Sequence, residues 1–496
     1  MSVRIGARAL LTATLDRGSF RSWDQPIAIP EHIDPEYASA LERARESSGE
    51  DESVVTGQGT IEGIPVAVVV SEFGFLAGSV GVDCANRIEA AVRRATADRL
   101  PLLAAPASGG TRMQEGTIAF LQMVRITAAL VDHKRAGLPY LVYLRHPTTG
   151  GVFASWGSLG HVTVGEPDAL IGFLGPRVYE ALTGTAFPEG VQRAENLAAH
   201  GVIDAVVPPE QLGALAARAL RIILTPPSPV EPPVAPPVSS LSTWESIGRT
   251  RDPRRPGIRQ LLHHATSDVL PLSGTAEGEQ HDGVLSALAR IGGVSCVLVG
   301  QDRLAQRRRG AIGPGALRQV RRSIRIAGEL RLPLLTVIDT PGAALTVEAE
   351  EGGLGGEIAR CLADLLELSS PIVSVILGEG AGGGALALLP ADRIIAAENA
   401  WLAPLPPEGA SAILHQGDTS FAPLLSFQQG VDARQLAQHG VIDELIAEPP
   451  DVAGFASLFA AAVGRHLVEA GSLPWSERAP LRSLRFARWS APRPSA

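Results

Sequence analysis

Short apolar runs alternate along this chain with glycine-rich turns and with longer amphipathic stretches. Residues 65–70, 101–104 and 140–144 are largely apolar, and residues 294–299, 333–338 and 372–377 repeat the pattern in the second half. Apolar runs of this length that end at glycine predict strands covered on both faces. Residues 118–136 and 358–368 instead place apolar side chains at three- and four-residue steps, which predicts helices. Strands alternating with helices define an α/β class. Helix formers at 194–199 and 433–438 run into HGVID at 200–204 and 439–443, where Gly201 and Gly440 are placed to stop a helix.

The two halves repeat each other in order and in spacing. RLPLL occurs at 99–103 and again at 331–335. Gly150-Gly151 begins 51 residues beyond Arg99, and Gly382-Gly383 begins 51 residues beyond Arg331. Glu166 and Glu398 each stand 67 residues beyond the respective arginine. HGVID follows at 101 and 108 residues, a difference that a loop absorbs. The pattern predicts one fold used twice in tandem. Between the copies lies TPPSPVEPPVAPPVSS at 225–240, whose prolines predict a stiff polyproline II spacer. Residues 1–224 and 241–496 are each enough for one domain.

Composition narrows the function. With 43 basic and 52 acidic residues the net charge is −9, which excludes a nucleic-acid binder. Aromatics at 4% argue against a stacking platform for single strands or sugars. Cys84, Cys296 and Cys361 are far apart, so neither a disulfide framework nor a structural zinc is expected, and a reducing cytoplasm is. Asp16 and Arg17 interrupt the short apolar run around Arg4 and Arg8, which predicts no signal peptide. No uninterrupted apolar stretch of about 18 residues predicts a membrane span. Lys134 is the only lysine, so there is no P-loop, although arginines leave phosphorylated ligands possible. Genomic base composition is an adequate reason for the shortage.

Candidate chemistry gathers at glycines. Ser108-Gly109-Gly110-Thr111-Arg112 follows a strand and precedes a helix, where backbone N–H groups can approach a ligand oxygen closely. An ordinary tight turn, with Arg112 and Glu115 as a solvated pair, reads the residues equally well. Thr148-Thr149-Gly150-Gly151 and the run at 378–384 both place a glycine pair at the start of a short helix. Free N–H groups at the positive end of a helix dipole have the makeup of an oxyanion hole. Gly378, Gly380 and Gly383 also satisfy GxGxxG, with Glu398 at the expected distance. Only residues 384–392 precede the next strand, too few for a crossover helix, so a dinucleotide site is rejected. There is no G-x-S-x-G elbow and no H-E-x-x-H. His200 and His439 sit beside helix-stopping glycines and suit the helix C-terminus better than catalysis. What remains is a reaction run on backbone donors, with a ligand that brings its own acid–base group.

ASGGTRMQEG at 107–116, PTTGGVFASWGSLGHVTVGEPDALIGFLGPRV at 147–178 and the following HGVID resemble the β subunit of bacterial acetyl-CoA carboxylase carboxyltransferase. IDTPGA at 338–343, GEGAGGGALAL at 378–388 and PPEGASAIL at 406–414 resemble its α subunit. The chain is thus similar to a fused β–α carboxyltransferase over most of residues 50–450. The resemblance implies two tandem crotonase-type ββα-spiral domains, the first on the acyl-CoA side and the second on the biotin side. It implies transfer of a carboxyl group from carboxybiotin to acetyl-CoA or another short acyl-CoA, giving malonyl-CoA or a homologue. Carried over by motif, Gly150 and Gly151 with Ser108, Gly109, Gly110, Thr111 and Arg112 serve the acyl-CoA. Gly383 and Gly384 with Gly342 and Ala343 serve biotin.

Two other readings use the same sequence: a biotin-dependent decarboxylase component, and a non-catalytic scaffold subunit. The cysteines of the bacterial β subunit's zinc ribbon are absent, so no zinc is expected. The segment that follows Gly342-Ala343-Ala344-Leu345, up to Glu351, departs from the α-subunit pattern. Lys134 lacks the methionine-flanked setting of a biotinylated lysine, so carboxybiotin is expected on a separate carrier protein, charged by a biotin carboxylase. The family also implies a homo-oligomer, dimer or higher. Arg482, Arg485, Arg488 and Arg493 are read as a solvated tail.

Overall fold

Every apolar run picked out by the pattern is a strand in the structure, a computed structural model that describes residues 5–28 and 33–487. Two compact units emerge: Met1–Arg221 with Ala276–Gly278, and Ile222–Thr275 with Glu279–Ala496. The first holds a seven-stranded sheet in the order Arg21–Ser22, Val54–Ile61, Ile64–Ser71, Leu102–Ala105, Tyr140–Leu144, Val162–Gly165 and Ala205–Val206. The second holds Thr266–Leu272, Val284–Ile291, Val294–Gln301, Leu334–Thr340, Ile372–Ala381, Arg393–Ala397 and Glu444–Ile446 in the same order. In both, the first three strands are antiparallel and the rest are parallel. The tandem repetition is therefore visible strand by strand.

Continuous burial follows from composition. All five residues of Tyr140–Leu144 and all ten of Ile372–Ala381 are buried, as strands covered on both faces require. Helices Val82–Ala97 and Gly116–Arg135 pack together over the first sheet, burying Ile88, Val92, Met123, Ile126 and Leu130 at helical spacing. The predicted helix at 358–368 is Leu354–Glu367. The last turn of Gly116–Arg135 contains Lys134, whose Nζ donates to the Leu159 carbonyl at 3.1 Å.

His133 on the same helix is wholly buried, with Nδ1 3.0 Å from the Thr96 hydroxyl and Nε2 3.3 Å from the Pro139 carbonyl. Burial pushes its imidazole down to about 4. An unfolded histidine takes a proton near about 6.5, so between these values the unfolded chain binds the extra proton. Stability is accordingly full above about pH 6.5 and falls as pH drops towards 4. Denaturation midpoints of His133→Phe and wild type, measured across that window, should converge at its acid end; parallel curves would remove His133 as the cause.

The proline-rich stretch is not a free spacer. It forms no helix or strand, but both of its ends are pinned to the second unit. Ser228 and Val230 donate to the Gly293 and Gly292 carbonyls at 2.9 and 3.2 Å, and Ser239 donates to Glu398 at 2.6 Å. Prolines have no N–H, so the three anchors come from the residues between them. Gly292 and Gly293 make the two-residue hairpin turn with φ of +55° and +77°. A methyl on Gly293 would lie 1.8 Å from the Ser228 carbonyl, so this turn has to be glycine.

The reading of a solvated tail also fails. Helix Trp475–Ala487 buries Arg478, Arg482 and Arg485. Arg482 makes a two-pronged bond to Asp392 and Arg485 pairs with Asp443, so these charges are matched inside the protein. Arg488 and Arg493 lie outside the described residues. Among the described residues one helix, Val452–Gly471, is long and apolar enough to cross a membrane. It buries Phe455, Phe459, Val463 and Leu467 in packing that includes helix Ile258–Ala265 and strand Ile372–Ala381.

Candidate active site

In the first unit the chain leaves strand Leu102–Ala105 into the turn carrying Ser108 to Arg112. The Ser108 hydroxyl accepts from the Gly110 N–H at 3.0 Å and so closes the turn on itself. Ser108 donates to Pro147 at 2.7 Å and accepts from Thr149 at 2.9 Å, which ties this turn to the start of helix Gly150–Phe153. Gly110 has φ +114° and Gly150 φ +63°, conformations in which a side chain is strained. The two banks converge: a methyl on Gly110 would lie 3.9 Å from the Gly151 nitrogen. One on Gly151 would lie 3.5 Å from the Thr111 hydroxyl.

Accounting for each N–H selects the available donors. Gly109 donates to the Ala77 carbonyl at 2.9 Å, Gly110 to Ser108, and Gly150 to the Phe173 carbonyl at 3.0 Å. Thr111 and Gly151 donate to no acceptor among the described residues. The Gly151 amide is at the second position of a helix, where no intrahelical acceptor exists. Of the residues singled out by sequence, Thr111 and Gly151 therefore present the open pair. Gly109, Gly110 and Gly150 hold it in place.

The second unit repeats the device, with Pro341 in place of Gly109 and therefore without the bond that Gly109 makes to Ala77. The Thr340 hydroxyl accepts from Gly342 N–H at 3.2 Å, as Ser108 does from Gly110. Ala344 donates to Ile312 at 2.9 Å, as Arg112 donates to Val80 at 3.0 Å. Gly342 has φ +139°, and Gly382, opening helix Gly382–Leu386, has φ +61°. Ala343 and Gly383 are the open amides here. Gly384 is the wall beside them: a methyl on it would lie 3.3 Å from the Ala343 nitrogen. Gly383 is thus the counterpart of Gly151, and Gly384 of Val152.

Arg112 does not face the ligand space. It is buried beneath the turn, paired with Glu52 and, at 3.2 Å, with Glu115, and it donates to the Ser79 carbonyl at 2.9 Å. Neither a substrate contact nor a solvated pair describes it; it is a strut. The Tyr37 phenol donates to Glu115 at 2.5 Å, and burial with that carboxylate pushes it up to about 12. Sequence offers little sign of the turn Leu76–Gly78, whose φ values of +44°, +55° and +65° form a left-handed run. Its Ala77 carbonyl holds Gly109, so backbone strain is stored directly behind the open pair. Only Gly78 hints at it.

Among the described residues, side-chain catalysts do not gather at either turn. The three cysteines are buried free thiols, each pushed up to about 12 by burial, and so are poor nucleophiles. His200 and His439 cap helices Ala194–Ala199 and Ala433–Gln438, as their glycine neighbours suggest. No cluster of three histidine, cysteine or acidic residues suited to a metal occurs among the described residues. Two neighbouring N–H donors that meet no acceptor among the described residues, repeated in each unit, have the makeup of a site for two developing oxyanions.

A sheet of this order, with a strand–helix turn beside two open amides, is a fold that carboxyltransferases of known structure share. The crystal structure of transcarboxylase 12S with methylmalonyl-coenzyme A and methylmalonic acid bound superposes with a TM-score of 0.76, covering 99% of this chain and 91% of that one. At 21% identity the likeness is one of fold. The chain belongs to the carboxyl transferase domain family, whose model matches residues 7–428. It is 53% identical over 496 residues to the probable biotin-dependent acyl-coenzyme A carboxylase beta3 subunit of Mycobacterium tuberculosis, covering 99% of each. It is 36% identical over 519 residues to the acetyl-coenzyme A carboxylase carboxyl transferase subunits beta/alpha of Salinispora tropica, covering 98% of this chain and 91% of the relative.

Proposed function

We propose that this chain is the carboxyltransferase component of a biotin-dependent acyl-CoA carboxylase. Its substrate on this reading is acetyl-CoA or another short acyl-CoA, and its product malonyl-CoA or a homologue. The carrying observation is the open amide pair that recurs at equivalent positions in both units. A scaffold subunit has no use for two such pairs. Thr111 and Gly151 receive the thioester oxygen, whose negative charge grows as the α-proton leaves. Ala343 and Gly383 receive the ureido oxygen of the biotin group. Carboxybiotin, when bound, supplies both the carbon dioxide and the base, which explains why no side-chain base stands at either turn. Each N–H donor of this kind contributes about 3–4 kcal/mol at the transition state.

Carboxybiotin arrives on a separate carrier protein charged by a biotin carboxylase. Lys134, engaged with Leu159, is a structural residue on this reading. The chain acts as a homo-oligomer, with the first unit of one protomer serving the second unit of another. Exposed apolar side chains beside each turn, Met113 (84% exposed) and Leu345 (96% exposed), support a covered surface there. The test is carboxylation of acetyl-, propionyl- and butyryl-CoA with carboxylated carrier, with light scattering at assay concentration. Carboxylated thioester from a dimer or larger species is expected. Transfer only in reverse, from a carboxylated thioester to free biotin with release of the acyl-CoA, would assign a decarboxylase component instead, and no turnover with any of the three would reject the reading.

A further inference from the structure

We propose that Gln301 is a positioning residue that sets the spacing of the Ala343 and Gly383 amides; this rests on the oxyanion role given to that pair above. Gln301 ends strand Val294–Gln301 and is wholly buried. Its Nε2 donates to the Gly384 carbonyl at 2.7 Å, and its Oε1 accepts from the Asp339 N–H at 3.1 Å. Gly384 lies on the helix that carries the Gly383 amide. Asp339 lies on the strand whose turn carries Ala343. A single carboxamide thereby fixes both banks of the second pair to one strand end.

The first unit lacks this clamp. Hairpin register equates Gln301, opposite Val284, with Ser71, opposite Val54. A serine is too short to span two elements, and at Ser71 the backbone carbonyl accepts from Arg145 at 2.8 Å instead. Both units share the backbone bridge behind the pair, Ser108 with Thr148 and Thr340 with Gly380. The side-chain clamp is thus additional in the second unit. Displacing a bound group by about 1 Å can cost a hundredfold in rate, so a clamp across the two banks acts on turnover.

The polarity of the amide is specific, which provides the test. A leucine at this position keeps the volume but leaves the Gly384 carbonyl and Asp339 N–H without partners. In Gln301→Glu a protonated carboxyl reproduces the amide, its O–H donating to Gly384 and its carbonyl accepting from Asp339. The ionised form puts an oxygen against the Gly384 carbonyl. The charged groups around it are Asp302, paired with Arg259, and Asp339, which faces Arg303 and Arg255 and accepts from the Glu379 N–H. Burial and the nearby Asp339 favour the protonated form of the introduced carboxyl.

The full chain is assayed with carboxylated carrier and acyl-CoA. For Gln301→Leu, kcat should fall about a hundredfold with the KM for acyl-CoA unchanged. For Gln301→Glu, kcat should climb towards wild type as pH falls from about 8 to 6, a climb absent in wild type. Melting curves over the same range confirm that folded protein is compared. A folded Gln301→Leu with wild-type kcat, or a Gln301→Glu profile parallel to wild type, overturns the inference. Should Gln301→Leu not fold, the Gln301→Glu profile decides alone. Wild-type turnover in Gly384→Val would instead overturn the underlying oxyanion reading.

Discussion

Gly384→Val should lower carboxylation by at least about a hundredfold while its melting curve stays near wild type. Gly384 does not have a positive φ, so its own backbone conformation accepts a side chain. The added Cβ would lie 3.3 Å from the Ala343 nitrogen and 3.5 Å from the Gly342 carbonyl carbon, at the mouth of the second pair. The γ-methyls then occupy the space an incoming oxygen needs. Gly151→Val tests the first pair at one of its own donors, the position equivalent to Gly383, with its Cβ 3.4 Å from Met123 Cγ and 3.5 Å from the Thr111 hydroxyl. The Gly384 variant should lose turnover of carboxybiotin, and the Gly151 variant should lose acyl-CoA-dependent steps. Gly150 and Gly382 are unsuitable, since their positive φ confounds blockage with strain. Near-normal rates in both variants, with normal melting, would end the oxyanion assignment.

The largest effect on stability is expected from Arg482→Ala, about 3–5 kcal/mol by denaturant titration. Arg482 is 1% exposed. Its Nε and Nη2 bond the two Asp392 oxygens at 2.9 and 2.8 Å. Nη1 donates to the Leu365 and Leu368 carbonyls at 2.6 and 2.7 Å, and Nη2 to Ser370 at 3.0 Å. Removing the guanidinium leaves the buried Asp392 carboxylate to Arg478 at 3.3 Å and the Ile372 N–H at 2.7 Å, and strands carbonyls at the end of helix Leu354–Glu367. That helix also carries Ile358, whose Cδ1 lies 2.6 Å from where a Gly383 Cβ would stand. The variant should therefore lose some turnover before it unfolds. Arg482→Lys keeps the charge but not the fork and should recover only part of the loss. A change within about 0.5 kcal/mol for the alanine variant would place Arg482 among surface residues.

Features that depend on local pattern were legible in the residues. Continuous apolar runs marked buried strands because each strand is covered on both faces. The shared 51-residue spacing aligned Gly150 with Gly382 because the backbone of both turns is the same. What escaped was long-range. Whether a glycine amide is open depends on whether a distant carbonyl reaches it, as Phe173 reaches Gly150 and Ala77 reaches Gly109. Nothing near Arg112 announces its partner Glu52, sixty residues away. Arg482 and Arg485 looked like a solvated tail because their acids, Asp392 and Asp443, lie in other elements. The left-handed turn at Leu76 and Ala77 uses residues that rarely adopt it, held there by packing that includes Phe75 against Leu41 and Ala44.

The anchored proline stretch bears on what chain continuity contributes. Its middle is open, with Val234 99% exposed, while Ser228 and Val230 on one side and Ser239 on the other are each bonded to the second unit. A peptide bond near Val234 therefore joins two stretches that are already held by independent bonds. Cutting it would release a loop and leave both new ends moored. The covalent link near Val234 is thus one that the flanking hydrogen bonds make redundant for keeping these two ends on the second unit.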